Sequence, residues 1–215
     1  MAKRADEVSI SAAGVTLAGN LAIPEGARGI VVFAHGSGSS RHSPRNQYVA
    51  QALDDANIAT LLMDLLTEPE DAEDALTARL RFDIALLAER VGGATDWLAE
   101  YSPATRMTIG YFGASTGAAA ALVAAAARPQ IIRAIVSRGG RPDLASAALA
   151  RVQAPTLLIV GGYDTRVIEM NHEALAQLSV EKDMQIVPRA THLFEEPGAL
   201  EQVAALAREW FERYL

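Results

Sequence analysis

The sequence predicts an α/β fold: a mostly parallel, twisted sheet with an N-terminal antiparallel hairpin, helices on both faces and no lid domain. Three observations predict it. Six short apolar runs recur along the 215 residues, most without alternation, as expected of strands covered on both faces. Segments of helical period lie between them. A period-two pattern precedes them all.

The period-two pattern covers residues 7–23. Val8 and Ile10 alternate with serines, and Val15, Leu17, Leu21 and Ile23 keep one parity. That predicts two half-buried strands joined near Ala13-Gly14. The runs at 29–36, 58–66, 107–113, 131–137, 155–162 and 184–188 are the six further strands. One helix is predicted from Val49, Ala52, Leu53 and Ala56. A longer one follows from Leu80, Ile84, Leu87, Val91 and Leu98, and the last from Leu200, Val203, Leu206, Trp210 and Tyr214. Steps of three and four put each set on one face. Gly92-Gly93 is expected to weaken or break the long helix. The alanine-rich stretch 118–127 reads as a buried helix whose small side chains let it approach the sheet. The acidic stretch 65–82 reads either as a polar loop bordering a site or as a solvated helix start. The segment between the 131–137 and 155–162 strands is too short for an inserted lid. The whole chain, 1–215, fits one domain without repeats or linkers.

Composition narrows the function. Half of the residues are apolar and the net charge is −7. No Lys/Arg cluster offers a phosphate-binding face, which argues against nucleic acid. Cysteine is absent, so disulfides, thiolate metal sites and a cysteine nucleophile are excluded together. No two histidines have ligand spacing on one helix, so no metal and no cofactor are expected. The start, MAKRADEVSIS, has two basic residues with no apolar stretch behind them and does not read as a signal peptide. No run approaches the roughly 18 apolar residues of a membrane span. The expectation is a cytoplasmic globular protein, monomer or homodimer, acting on a small molecule without a membrane or nucleic-acid partner.

The chemistry centres on Gly113-Ala114-Ser115-Thr116-Gly117. This G-x-S-x-G stretch follows a predicted strand and opens a predicted helix. A sharp turn there lifts the serine clear of the surface, and glycines two residues away on either side relieve the crowding. The helix N-terminus adds partial positive charge, favourable to an oxyanion. The plainer alternative is a serine helix cap between packing glycines.

A serine nucleophile needs a base. There are four histidines. His192 follows the last predicted strand, at the same sheet edge as Ser115. His172 lies inside a predicted helix, His42 in a polar loop, and His35 ends a strand, where it is expected to hold the next loop by hydrogen bonds. The base in turn needs a carboxylate to fix its tautomer. Asp164 follows the strand before that of His192; Asp143 and Glu169 compete, Asp143 more plainly as a helix cap. The order Ser115, Asp164, His192 is nucleophile, acid, base, the order of one particular fold. For the oxyanion, the backbone N–H groups of Ser37, flanked by Gly36 and Gly38, and of Thr116 are the candidate donors. HGSGSS lacks the features of a phosphate-binding loop.

These residues resemble the α/β-hydrolase superfamily over nearly the full chain, and more narrowly the small dienelactone-hydrolase-like group. FAHGSGSSRHSPRN, LLMDLLTEPE, GYFGASTGAAAAL, SRGGRPDLA, LLIVGGYDTRV and ATHLFEEPG carry the resemblance. It implies ester or acyl hydrolysis with Ser115 as nucleophile, His192 as base and Asp164 as orienting acid. The enzymes that name the group use a cysteine nucleophile, and this chain departs from them there. They also hold a substrate carboxylate with arginines. Arg41, Arg45 and Arg138 are the candidate counterparts by position, with the plainer reading, a surface arginine paired with an acid, favoured for Arg45. The expectation is a lidless serine esterase for small or exposed acyl esters or lactones. The alternatives are acyl transfer or perhydrolysis by the same triad, or a non-catalytic binding domain of the same fold.

Overall fold

The computed structural model describes residues 5–215. Met1–Arg4, on which part of the N-terminal reading rests, lie outside the described residues. The chain runs β1 (Asp6–Ala12), β2 (Val15–Ala22), β3 (Gly29–Ala34), α1 (Pro44–Asp54), β4 (Ala59–Met63), α2 (Glu68–Thr77), α3 (Ile84–Glu100), β5 (Thr108–Ala114), α4 (Thr116–Ala127), β6 (Ile132–Arg138), β7 (Thr156–Gly161), α5 (Thr165–Gln177), β8 (Lys182–Val187) and α6 (Ala199–Tyr214), with 3₁₀ segments at Leu80–Phe82 and Pro142–Arg151.

The eight strands form one sheet in the order β1-β2-β4-β3-β5-β6-β7-β8. The β1–β2 hairpin is antiparallel, β2 also pairs antiparallel with β4, and the remaining pairs are parallel. After β3 the chain goes to β4 on one side, then returns across the sheet to β5 on the other. The crevice between the β3 and β5 ends is therefore a topological switch point, where ligands of open α/β sheets bind.

Both faces are covered along β3 to β7, as the unalternating runs require, whereas the edge strand β8 stays largely exposed. Ile30, Val32 and Ala34 of β3 join the core under α3 and α4. Val31 and Phe33 point the other way, into the core formed with α1 and α6. Phe33 stacks at a tilt on Phe112, ring centroids 4.8 Å apart, and burying each such ring contributes about 2–3 kcal/mol. The alanine-rich α4 is buried along almost its whole length.

Gly92-Gly93 does not break the long helix: α3 is continuous from Ile84 to Glu100. The reason is packing. A β-carbon on Gly93 would lie 2.7 Å from the Cα and Cβ of Ala12, and one on Gly92 would meet the Arg128 guanidinium at 2.2 Å. The missing side chains bring α3 onto β1 at Gly93 and onto the Arg128 side chain at Gly92. That close approach offsets the helix-propensity cost of about 1 kcal/mol per glycine. The acidic stretch holds a helix start and also borders a cavity, which Leu65, Asp71, Asp74 and Arg81 line together with Ser37 and Thr116. Thr67 caps α2 in a reciprocal capping box with Glu70, satisfying two backbone donors at once. The span between β6 and β7 is taken up by the Pro142–Arg151 segment, and no lid is inserted there.

Candidate active site

Ser115 stands between the last residue of β5 and the first of α4 with φ 50° and ψ −120°. A β-carbon makes this region unfavourable, at a cost of about 1–3 kcal/mol. Backbone hydrogen bonds on both sides hold it there. The Ser115 N–H donates to the Arg138 carbonyl (3.2 Å), and the Ser115 carbonyl accepts from Ala118 (3.1 Å) and Arg141 (3.0 Å). The flanking glycines are required by contact. A β-carbon on Gly117 would sit 2.2 Å from the Ala34 carbonyl oxygen, and one on Gly113 2.4 Å from the Ala118 Cα. Gly36, in the loop after β3, passes so close that its own β-carbon would be 3.1 Å from that of Ser115.

Asp164 ends the β7 turn and caps α5 without using its side chain on the helix. Its Oδ2 lies 2.6 Å from Nδ1 of His192, in the loop after β8. A carboxylate can only accept, so Nδ1 carries a proton, and in the neutral ring the lone pair is on Nε2. His192 and Ser115 line the same cavity, of about 160 Å³, together with Ser37, Asn46, Arg45 and Arg138. Asp143 is not a side-chain cap: it pairs with Arg141, Oδ2 to Nη2 at 2.8 Å. His42 and His172 are exposed.

The two candidate oxyanion donors are neighbours. The Ser37 and Thr116 hydroxyls are 3.0 Å apart. Among the described residues, neither backbone N–H donates to a backbone carbonyl. His35 fixes the loop that carries Ser37. Its Nδ1 lies 2.9 Å from the Gly36 carbonyl oxygen, and its Nε2 accepts from the Leu65 N–H at 3.1 Å. That pair of contacts needs the neutral ring. Burial pushes the His35 pKa down, opposed by the Gly36 hydrogen bond and by Asp64 and Asp71.

The arginines separate. Arg138 is buried at the cavity wall. Its Nη2 reaches Asn46 Oδ1 at 3.4 Å, its guanidinium lies 5.8 Å from the Phe194 ring centroid, and its buried Nε has no partner. Burial, and then the charge of Arg45, push its pKa down to about 10. Arg45 pairs with the exposed Glu195 at 3.2 Å, as a surface arginine is expected to, yet it also lines the Ser115 cavity. Arg41 is paired with Asp64 and lines a separate, neighbouring cavity with His35, Ser39 and Ser40. Asn46 has no signature in the sequence. Only the position of Ser43 as the cap of α1 could have placed it in the first turn, facing the site. No group of three or more His, Asp or Glu residues suited to a metal occurs among the described residues, and no described helix is long and apolar enough to cross a membrane.

Comparison with known proteins agrees with the fold. The model of the dienelactone hydrolase family matches residues 17–215. The crystal structure of a dienelactone hydrolase from Anabaena variabilis superposes with a TM-score of 0.97 at 62% identity, over 99% of this chain and 100% of that one. A Xanthomonas campestris α/β serine hydrolase without a lid shares the fold at 18% identity and a TM-score of 0.73, covering 99% of this chain and 96% of its own. A curated protein of Mycobacterium tuberculosis, provisionally named a phosphoribosyl transferase, is 57% identical over 212 residues, 99% of this chain and 47% of its own length. The chain spans about half the length of the curated relatives it matches.

Proposed function

The chain belongs to the dienelactone hydrolase family, and on that premise we propose that it is a serine hydrolase of small carboxylic esters or lactones. Ser115 is the nucleophile, His192 the base and Asp164 the residue that orients it. One observation carries the reading: Ser115, held at a positive φ, shares a cavity with His192, whose Nδ1 is engaged by Asp164 at 2.6 Å.

The reaction follows from that geometry. His192 Nε2 takes the Ser115 hydroxyl proton as Oγ attacks the ester carbonyl carbon. The N–H groups of Ser37 and Thr116 and the N-terminus of α4 stabilise the oxyanion, each hydrogen bond contributing about 3 kcal/mol in the transition state. The tetrahedral intermediate collapses, and the leaving alcohol departs with the proton from His192. Water, deprotonated by His192, then cleaves the acyl-enzyme and restores Ser115.

Arg138 points to the charge of the substrate. A buried guanidinium beside a second arginine, with no carboxylate partner, is poorly satisfied until an anion arrives. An ester or lactone bearing a carboxylate supplies one, and Arg138 with Arg45 is the proposed site for it. The transferase name of the longer relatives is not carried over, because this chain corresponds to only half of them.

The test is hydrolysis of p-nitrophenyl acetate, with fluorophosphonate labelling, by the wild type and Ser115→Ala. Turnover and labelling at Ser115 in the wild type, both lost in the variant, are the expected result. A wild type that does neither refutes the reading.

A further inference from the structure

We propose that the turn Arg138–Arg141, pinned from behind by Asn171, is a positioning strap that sets Ser115, His192 and Asp164 relative to one another. This rests on the proposed roles of those three residues and goes beyond them.

The strap holds Ser115 directly, lies against the His192 loop and is tied through Asn171 to the helix that Asp164 caps. At one end the Arg138 carbonyl accepts from the Ser115 N–H, and at the other the Arg141 N–H donates to the Ser115 carbonyl. The turn therefore grips the serine on both sides of its strained conformation. Between these contacts lies Gly139, at φ +51°, its N–H bonded to the Ile159 carbonyl at 2.8 Å. A β-carbon on Gly139 would stand 3.1 Å from the His192 carbonyl oxygen and 3.6 Å from Cε1 of its ring. The next residue, Gly140, has no room for a side chain, since its β-carbon would overlap Ser137 Oγ and press on Ala118. The turn is thus wedged between the elbow and the histidine loop.

Asn171 closes the arrangement and reaches the third residue through its helix. It is fully buried on α5, about two turns along the helix that Asp164 caps. Its Nδ2 donates to the Gly140 carbonyl at 3.0 Å and to Val167 at 2.8 Å, while its buried Oδ1 has no partner. An amide buried with an unpartnered acceptor costs stability, and a leucine of similar volume would avoid that. The gain lies in the Gly140 contact, which ties the helix following Asp164 to the turn that holds Ser115. Asn171 acts through the strap and touches no reacting atom.

The experiment compares Asn171→Leu, Gly139→Ala and the control Gly26→Ala with the wild type. Gly26 also has a positive φ, and a β-carbon added there would meet nothing within 4 Å, so the control reproduces the backbone strain without the contact. The readouts are kcat and KM for p-nitrophenyl acetate, the rate of fluorophosphonate labelling, and the melting temperature. Asn171→Leu is expected to lower kcat and the labelling rate together by about tenfold or more, with KM within about twofold, since a displacement near 1 Å is enough for such losses. Its melting temperature should stay within about 4 °C of the wild type, a split that a purely structural role does not produce. Gly139→Ala is expected to slow both reactions and Gly26→Ala neither, so the proposal stays testable if Asn171→Leu does not fold. If the wild type reacts and the folded strap variants react equally fast, the strap is overturned while the Ser115 reading stands. A wild type that neither hydrolyses nor labels overturns both.

Discussion

Asp164 Oδ2 lies 2.6 Å from His192 Nδ1, and the helix that Asp164 caps makes no claim on its side chain. The carboxylate is therefore committed to one tautomer of one histidine. Asp164→Asn keeps the shape but allows the amide to donate to Nδ1, which places the proton on Nε2, where a base cannot use it. We expect kcat to fall by about 10³–10⁴ with little change in melting temperature. Steady-state kinetics with thermal denaturation check this, and a loss under tenfold would remove Asp164 from its role.

The proposed carboxylate site at Arg138 and Arg45, which line the Ser115 cavity, predicts selectivity for negative charge. Arg138→Met removes a buried, poorly partnered charge, and we expect it to stabilise the fold by about 1 kcal/mol. The same change should raise KM at least tenfold for a carboxylate-bearing ester while leaving p-nitrophenyl acetate within about twofold, a loss typical of a charge-assisted contact. Urea unfolding and paired kinetics test both halves.

The hydroxyls of Ser37 and Thr116 bond each other, which leaves their backbone N–H groups as the proposed oxyanion donors. Ser37→Ala and Thr116→Val keep those N–H groups. Each should lower kcat by less than about tenfold, well short of the 10²–10³ that removal of an oxyanion donor costs. A hundredfold loss in either variant would assign the donor role to the hydroxyl.

His35 gives stability a pH dependence. Its pKa in the folded protein is below the ordinary 6.5, so below that pH the unfolded chain binds a proton that the folded ring refuses. Its contribution is complete above pH 6.5 and is lost as the pH falls from there toward the folded value. The stability advantage of the wild type over His35→Gln should therefore shrink from about pH 7 to about pH 5, as read by urea unfolding. An advantage constant over that range would contradict this.

The cavity of about 160 Å³ suits short acyl groups. Acetyl esters should be hydrolysed with a higher kcat/KM than dodecanoyl esters, and the reverse preference would argue for an acyl channel elsewhere.

Much of this is legible in the sequence because its signals are local. The serines beside Val8 and Ile10 mark a half-exposed hairpin, and the glycines around Ser115 mark a turn that can be built only one way. Gly92-Gly93 misleads for the opposite reason. Their helix propensity is local, but the contacts that overrule it come from Ala12 and Arg128, both distant in sequence. Thr67 and Glu70 could have announced α2, since T-x-x-E before a helical stretch is a capping box. The sequence favours Arg45 as a surface arginine paired with an acid over a place near the site, and only the fold shows that it holds both positions, pairing with Glu195 while lining the Ser115 cavity. Asn171 carries no signal at all: a buried amide on a helix looks like a solvated one until its neighbours are known.

The turn at Ser115 has one further consequence. Its Cβ direction is dictated by backbone torsions, two glycines and the carbonyls of neighbouring segments, and the serine side chain makes no capping hydrogen bond to its own helix. The scaffold thus works as a socket, indifferent to which small nucleophilic atom it presents. Ser115→Cys is therefore expected to keep the backbone turn, since no hydrogen bond from the serine side chain to its own helix is lost.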